Sequence, residues 1–363
     1  MTTNLSPLPV GSTVGILGGG QLGKMLAAAA AQLGYKPLIY CPEKDACALT
    51  VARGFVAGWE DGDALKFFAE QCGVITCELD EGPGFLWATK FLEGLGKKVF
   101  PGTEALLAAQ DRRRGKEIAF SAGIKNPWYG VVTKASDFSH FADCSFPMLL
   151  KTCTGGYDGK GQRKVNSVEE LEPAFAELGS VDCVLEKIVD FFFEFSVIVV
   201  RGQTGECRAY APFRNFHENG ILVETVWPER SIFVESVVAS AALDSAKRIA
   251  DRLEVVGLVA VEFFYARDGK ILFNEFAVRP HNSGHVTLDW AYTSQFEQHI
   301  RAVCGLPFGS TAVRGQGGKM VNVIGNLEQV QASLPHPKAR IYIYGKPARP
   351  GRKLGHINRP LMN

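Results

Sequence analysis

The stretch Lys151-Thr-Cys-Thr-Gly-Gly-Tyr-Asp-Gly-Lys-Gly-Gln162 restricts the fold more than any other part of the chain. Four glycines fall in the seven residues from Gly155 to Gly161, with Lys151 ahead of them and Lys160 among them. Backbone without Cβ atoms can approach a polyphosphate closely and aim successive N–H groups at it. A lysine adds a point charge that needs no fork geometry. The apolar run Phe146–Leu150 reads as a buried strand ending at Lys151, and Arg163–Val165 as the strand after the loop. The expected element is therefore a flap between two strands. That argues against a Walker-type phosphate loop, which requires a following helix and a Gly-Lys-Ser/Thr ending. A plain surface hairpin is the alternative at this point.

With 363 residues the chain is long enough for two or three domains and a sizeable core. Its net charge of +1 gives no global field to attract nucleic acid or an anionic membrane, so neither is expected as a partner. The nine cysteines include no Cys-x-x-Cys pair and no cysteine–histidine group at zinc spacing, which reads as reduced core residues of a cytoplasmic protein. Met1–Pro7 lacks the basic-then-apolar order of a signal peptide, and apolar runs such as Met25–Ala31 are too short to span a bilayer.

At the start, strand Thr13–Leu17, the run Gly18-Gly-Gly-Gln-Leu-Gly23, a helix over Lys24–Leu33 and strand Lys36–Tyr40 form a βαβ unit. The spacing of Gly18, Gly20 and Gly23 suits either a dinucleotide or another anion at a helix N-terminus. The acid that would hold an NAD ribose is displaced to Glu43. Strand Gly73–Cys77 delivers Glu78, Asp80 and Glu81 at its carboxyl end, where open α/β sheets bind ligands. These three acids also fit a solvated loop. Gln110–Lys116 runs into a helix, with Asp111, Arg112 and Lys116 about one turn apart. On its own that is a solvated basic face.

The long aromatic and β-branched strand Phe191–Val200 contains Glu194, a carboxylate that needs a partner in such surroundings. Asn215–His217 and Asn219–Leu222 are expected in a polar loop. A hairpin turning at Asp268-Gly269 brings Glu262 on one strand near Asn274 and Glu275 on the other. Carboxylates among Val, Phe and Leu call for a cation, and hard oxygen ligands suit magnesium. A shared-proton pair is the other option. Arg279–His285 forms a polar loop, and Lys346, Arg349, Arg352 and Lys353 surround a turn at Pro350-Gly351. That turn is either a phosphate site or a solvated basic loop.

A glycine flap with lysines, an acid inside an aromatic strand and a hairpin with magnesium-type ligands together resemble the ATP-grasp superfamily. The resemblance covers nearly the whole chain. Six ordered pieces narrow it further: residues 18–23, Gln110-Asp-Arg112, 155–162, Asn274-Glu-Phe276, Arg279-Pro-His-Asn-Ser-Gly-His285 and Arg349-Pro-Gly-Arg-Lys-Leu-Gly-His356. They resemble the N5-carboxyaminoimidazole ribonucleotide synthetase family, ATP-dependent enzymes that carboxylate aminoimidazole ribonucleotide in purine synthesis. Departures are Glu78-Leu-Asp-Glu81 in place of Glu-Phe-Glu-Asn, Cys153-Thr154 where an arginine precedes the flap, Phe195 where Glu-Leu-Ser is usual, and Val278 for proline.

The resemblance implies an α/β ATP-grasp fold. A Rossmann-like domain would span 1–104, the ATP-grasp domain 105–305 with its flap-bearing part near 115–190, and a small β-rich C-terminal domain 306–363. ATP and Mg2+ are the implied cofactors, and no NAD is used. Arg112, Lys116 and Lys151 are implied at the nucleotide phosphates, and Gly156, Gly159 and Gln162 in the flap over them. Glu186 and Lys187 are implied at the adenine hinge, Glu194 on the ribose hydroxyls, and Glu262 and Glu275 on the metal with Asn274 beside them. Gly20, Gln21, Leu22, Glu78, His281, Asn282, Ser283, Lys346, Arg352 and Lys353 are implied around the ribonucleotide, the last three at its 5′-phosphate. Tyr157 and Asp158 face the substrate and, with Lys151 and Arg279, complete the implied catalytic set. The implied partners are the ribonucleotide, bicarbonate and a second copy of the chain. A sibling ATP-grasp ligase such as formate-dependent glycinamide ribonucleotide transformylase, and a nicotinamide dehydrogenase built on the first βαβ unit, are the competing readings.

Overall fold

The structure is a computed structural model and describes residues 6–80, 82–156, 161–228 and 237–361. The first layer is a five-stranded parallel sheet of β1 (Thr13–Leu17), β2 (Lys36–Cys41), β3 (Arg53–Val56), β4 (Val74–Cys77) and β5 (Val99–Phe100), in the order β3-β2-β1-β4-β5. β1 and β4 pair in register from Val14 opposite Val74 to Leu17 opposite Cys77, and both are buried almost throughout. This accounts for their continuous apolar character. Helix α1 (Gln21–Gln32) covers one face, while α2 (Gly62–Gln71) and α3 (Pro83–Gly94) cover the other through Leu65, Phe68, Phe85 and Leu92.

Helices α4 (Thr103–Gln110) and α5 (Arg112–Ser121) lead away from this sheet, with Asp111 capping α5 by accepting the Arg113 N–H at 2.8 Å. A second, four-stranded antiparallel sheet follows. It contains β6 (Tyr129–Val132), β7 (Met148–Thr152), β8 (Gln162–Val165) and β9 (Cys183–Lys187), ordered β6-β9-β7-β8, with α6 (Leu171–Glu177) packed against it. Lys151 on β7 lies opposite Gln162 on β8, so the glycine loop does join two neighbouring strands.

The third sheet has nine strands: β10 (Phe191–Arg201), β11 (Cys207–Ala209), β12 (Phe213–Glu218), β13 (Ile221–Trp227), β14 (Gly257–Ala266), β15 (Ile271–Ala277), β16 (Gly318–Ile324), β17 (Arg340–Ile343) and β18 (Lys353–Pro360). Its main path is β15-β14-β10-β12-β13-β16-β18-β17, with β11 on β10. Helix α7 (Val237–Arg252) covers one face, where Ala242, Ala246 and Ile249 meet Phe195, Val197 and Val199. Short α8 (Thr287–Trp290), α9 (Gln295–Val303) and α10 (Glu328–Ser333) complete the chain, and α9 also packs on α1 through Phe296, Ile300 and Val303.

Strand alternation determines where a site can form. On the face of β10 away from α7, Val200 and Ile198 are apolar, and the next positions on that side are Ser196 and Glu194. β14 does the same, with Leu258 and Ala260 followed by Glu262. One sheet face thus changes from packed core to polar lining partway along its strands. Asn215 and His217 belong to this face on β12 rather than to a loop, and Asn219 (φ 51°) and Gly220 (φ 77°) make the tight hairpin to β13. Likewise Lys353–His356 opens strand β18, and only Pro350-Gly351 turns ahead of it.

Candidate active site

A single cleft with a volume of about 1100 Å3 runs between the three sheets. At one end lies a chain of buried charges. Lys116 Nζ is 3.0 Å from Glu186 Oε1, and Lys151 Nζ is 2.9 Å from Glu186 Oε2. Burial alone would raise the Glu186 carboxyl, but the two lysines bring it below the usual range. Burial lowers the Lys116 ammonium in spite of its partner. Lys116 is 1% exposed and does not line the cleft, whereas Glu186 lines it with both of its oxygens held by lysines. Lys151 and Lys187 do line the cleft, and the Lys187 N–H is taken by the Trp128 carbonyl at 2.9 Å.

Arg112 grips the root of the flap. Its guanidinium donates to the Thr152 carbonyl and, at 2.9 Å, to the Gly156 carbonyl, while its own N–H donates to the Cys153 carbonyl at 2.9 Å. Gly156 and Gln162 line the cleft beside it. Gly159, with Tyr157, Asp158 and Lys160, lies outside the described residues, as does Glu81.

On the floor, Glu262 Oε1 receives His281 Nε2 at 2.9 Å, and the Asn274 amide donates to Oε2 at 3.4 Å. Burial opposes ionisation of Glu262, but the His281 bond and the charges of His217 and Lys353 hold its carboxyl well below the ordinary range. Glu275, open to the cleft, is pushed the other way, by desolvation and then by the neighbouring Glu262 charge. Two such carboxylates are a pair in want of a cation. Among the described residues no group of three or more His, Cys, Asp or Glu gathers as a metal cage. The two carboxylates, Glu262 and Glu275, are a donor set that fits magnesium, which takes one or two carboxylates and completes its shell with phosphate oxygens and water. Glu194 Oε2 pairs with His217 Nδ1, and both line the cleft. Sequence reasoning passed over His217. The signal was Asn219-Gly220, which makes the residues before it a strand and puts His217 on the same face as Asn215.

The opposite end is built around Glu78, which is 3% exposed. Its carboxylate accepts the N–H of Gly20 and, at 2.7 Å, that of Gly23, filling the N-terminus of α1. A Cβ at Gly18 (φ 112°) would meet Glu78 Cγ at 2.2 Å. A pyrophosphate bound to this glycine run would need the position Glu78 occupies, which removes the dinucleotide reading. Burial raises the Glu78 carboxyl against the pull of those N–H groups and of Lys346 and Arg279. Lys346 donates to Gln21 Oε1, joining the C-terminal segment to α1, and Leu22, Arg352 and Lys353 line the same end. Arg279 binds Asp80 Oδ1 at 2.8 Å, and Asn282 exchanges bonds with Asn322. Ser283 is corrected: it is fully buried, bonded to His281 and Ser196, and absent from the cleft wall. Gln295, also fully buried, was not anticipated. It accepts the His281 N–H at 2.9 Å and donates to the His281 carbonyl at 2.7 Å, which holds the loop in place.

Three protein families match successive parts of the chain. They are the ribonucleotide synthetase preATP-grasp domain over residues 11–110, the ATP-grasp domain over 117–296 and the phosphoribosylaminoimidazole carboxylase C-terminal domain over 319–360. The chain is 41% identical over 354 residues to the N5-carboxyaminoimidazole ribonucleotide synthase of Bacillus subtilis, covering 96% of this chain and 91% of that one. It resembles the N5-carboxyaminoimidazole ribonucleotide synthetase of Thermus thermophilus, at 40% identity and a TM-score of 0.89 over 96% of this chain and 93% of the other. It also resembles the Aspergillus clavatus synthase in complex with ADP and 5-aminoimidazole ribonucleotide, at 27% identity and a TM-score of 0.87 over 97% and 94%.

Proposed function

The chain belongs to the N5-carboxyaminoimidazole ribonucleotide synthases, ATP-dependent ligases of the ATP-grasp fold that carboxylate 5-aminoimidazole ribonucleotide, and from this premise we propose how its own residues carry out that reaction. The observation that supports the assignment is the two-ended cleft. Lys151 with Glu262 and Glu275 suits a polyphosphate and its cation at one end, and Gln21, Glu78, Lys346 and Lys353 suit a ribonucleotide at the other.

Bicarbonate is a poor electrophile because its oxygen leaves badly. Attack of its oxygen on the γ-phosphate of ATP releases ADP and makes carboxyphosphate, whose phosphate is a good leaving group. Lys151, oriented by Glu186, places a positive charge where the phosphoryl oxygens gather negative charge. Glu262 and Glu275, with Asn274, would hold Mg2+, which when bound draws charge from those oxygens. His217 steadies Glu194 for a ribose diol of the nucleotide. Arg112 holds the flap root, and the flap, with Tyr157 and Asp158, shields the unstable intermediate from water. The exocyclic amine of the ribonucleotide then captures the carboxyl group, or carbon dioxide released from it, and phosphate departs. Lys346, Arg352 and Lys353 would bind the 5′-phosphate of that acceptor, and Arg279, braced by Asp80, faces the reacting carboxylate. Catalysis requires no protein nucleophile, and a homodimer in the cytoplasm remains the proposed setting.

The test is ADP release from Mg-ATP and bicarbonate, with and without 5-aminoimidazole ribonucleotide. Strong stimulation by the ribonucleotide is expected. ATP turnover indifferent to it would make the acceptor wrong, and no turnover in either condition would overturn the reading.

A further inference from the structure

The polar loop that begins at Arg279 is fastened to the last strands of the nine-stranded sheet by two asparagines. Asn322 on β16 is 2% exposed and Asn358 on β18 is fully buried, and neither lines the cleft. Asn322 Nδ2 donates to Asn282 Oδ1 at 2.5 Å, and Asn282 Nδ2 donates back to Asn322 Oδ1 at 3.1 Å. Asn358 Nδ2 donates to the His285 carbonyl at 3.0 Å and to Asp289 Oδ2 at 2.8 Å. The turn Asn282–Val286 is therefore held at its first residue from β16 and near its last from β18.

Which end of each amide in the Asn282–Asn322 pair is nitrogen follows from a group with only one role. The Leu222 carbonyl can only accept, and the Asn322 nitrogen lies 2.8 Å from it. The same nitrogen meets the oxygen of Asn282, so the oxygen of Asn322 meets the Asn282 nitrogen. Both protons of the Asn322 amide are then engaged, one on Leu222 and one on Asn282. Asn282 has engaged one proton of its two, which leaves it a single N–H to give a ligand. Unlike Asn322, Asn282 lines the cleft.

Strand register joins this pair to the basic end of the cleft. β16 runs against β18 with Asn322 opposite His356 and Ile324 opposite Lys353, so the strand that holds Asn282 also supports Lys353. Resting on the function proposed above, we propose that Asn322 is a positioning residue for the ribonucleotide: its amide holds that of Asn282 in one orientation, on the strand pair that carries Lys353, so that Asn282 offers the bound ribonucleotide one preorganised N–H donor. Asn358 supports the same turn from its other end. An amide already held in a reciprocal pair has little rotamer freedom left to lose when the ligand arrives. Among the described residues the Asn322 side chain bonds only to Leu222 and Asn282, so its loss is felt at the ribonucleotide and not at the nucleotide.

A double-mutant cycle on the full chain tests this, read as ADP release from Mg-ATP and bicarbonate while 5-aminoimidazole ribonucleotide is varied. Asn322→Ala is expected to raise the KM for the ribonucleotide about tenfold, the scale of one lost hydrogen bond, with kcat and the KM for ATP unchanged. Asn282→Ala should raise it by a similar factor, and the double variant no further than either single one, because Asn322 acts through Asn282. Asn322→Thr suits a strand and retains a donor for the Leu222 carbonyl, but cannot exchange two bonds with Asn282. It should match Asn322→Ala, and it replaces that variant if near-ultraviolet circular dichroism shows the alanine chain unfolded. A folded Asn322 variant with an unchanged ribonucleotide KM would overturn the proposal. So would single effects that multiply in the double variant, a KM for ATP that rises alongside, or failure of both Asn322 variants to fold, which would make the residue structural. Wild-type turnover that ignores the ribonucleotide would instead overturn the carboxylation itself, and the wild-type control separates that outcome from the others.

Discussion

Glu186 is held at two atoms by two lysines, and its behaviour follows from that geometry. Its carboxyl is lower in the folded chain than in the unfolded one, so its ionised form stabilises the fold above the unfolded pKa. That contribution fades as pH falls through the lowered folded value. Glu186→Gln leaves Lys116 and Lys151 without a counter-charge and is expected to cost about 3 kcal/mol at pH 7. The gap to wild type should begin to narrow as pH falls past the unfolded carboxyl value of about 4.3 and should close once pH has passed the lowered folded value, where wild type also loses the charge. Urea midpoints at the two pH values check this, and an equal gap at both would remove the charge from the explanation. Glu275 is the opposite case. Its folded carboxyl is raised by desolvation and by Glu262, so the chain loses stability as pH rises from the unfolded carboxyl value through the raised folded one. Glu275→Gln should therefore match or exceed wild type in urea midpoint while turnover falls about a thousandfold, the scale of a lost metal ligand. A lower midpoint with normal turnover would refute both halves. The glutamates at 186, 262 and 275 were visible as chemistry in the sequence. Their partners were not, because Lys116 and Ser283 have the residue types of a site while their side chains point into packed protein.

Among the elements, those readable beforehand were the ones whose apolar run and punctuation agree. Strand β1 and the glycines after it are one case, and the β14–β15 hairpin at Asp268-Gly269 is another. The β12–β13 hairpin was missed because its polar positions Asn215, His217 and Asn219 look like a loop until the Asn219-Gly220 turn is taken as the dominant signal. Alternation then makes sense: Phe213, Asn215 and His217 share one face of β12, which passes from apolar core at Phe213 to the cleft at His217. Gly220, at φ 77°, is where this hairpin is most exposed to substitution. Gly220→Ala should cost about 1–2 kcal/mol by urea denaturation and, because β12 carries His217, should weaken ADP binding measured by calorimetry. Full ADP affinity in a destabilised variant would show that β12 does not set the nucleotide end. The flap root makes a second element-level case. Arg112→Lys cannot span two carbonyls with one ammonium, so more ATP should be hydrolysed per carboxylation, measured as phosphate released against product formed.

At the scale of the molecule, the two ends of the cleft are made by different parts of the chain. The end proposed for the nucleotide lies between the four-stranded sheet and the β10–β15 half of the nine-stranded one. The end proposed for the ribonucleotide joins the first sheet, through Gln21 and Glu78, to the segment that carries Lys346, Arg352 and Lys353. Sequence order hides this, because Gln21 and Lys346 stand more than three hundred residues apart. It also hides that β16 to β18 extend the same sheet, through the β13–β16 pairing, instead of forming a sheet of their own. A ligand that binds only the folded chain adds RT ln(1 + [L]/Kd) to its stability, about 2.7 kcal/mol at a hundredfold excess over Kd. ADP and 5-aminoimidazole ribonucleotide, each at that excess, should therefore stabilise wild type separately, and together by nearly the sum. Lys346→Ala breaks the tie to Gln21 and removes a charge from one end only. At the same concentrations it should lose most of the ribonucleotide increment and keep the ADP increment. If both increments shrink together, the two ends are coupled through the sheet that joins them. If neither changes, Lys346 braces α1 without touching the ribonucleotide.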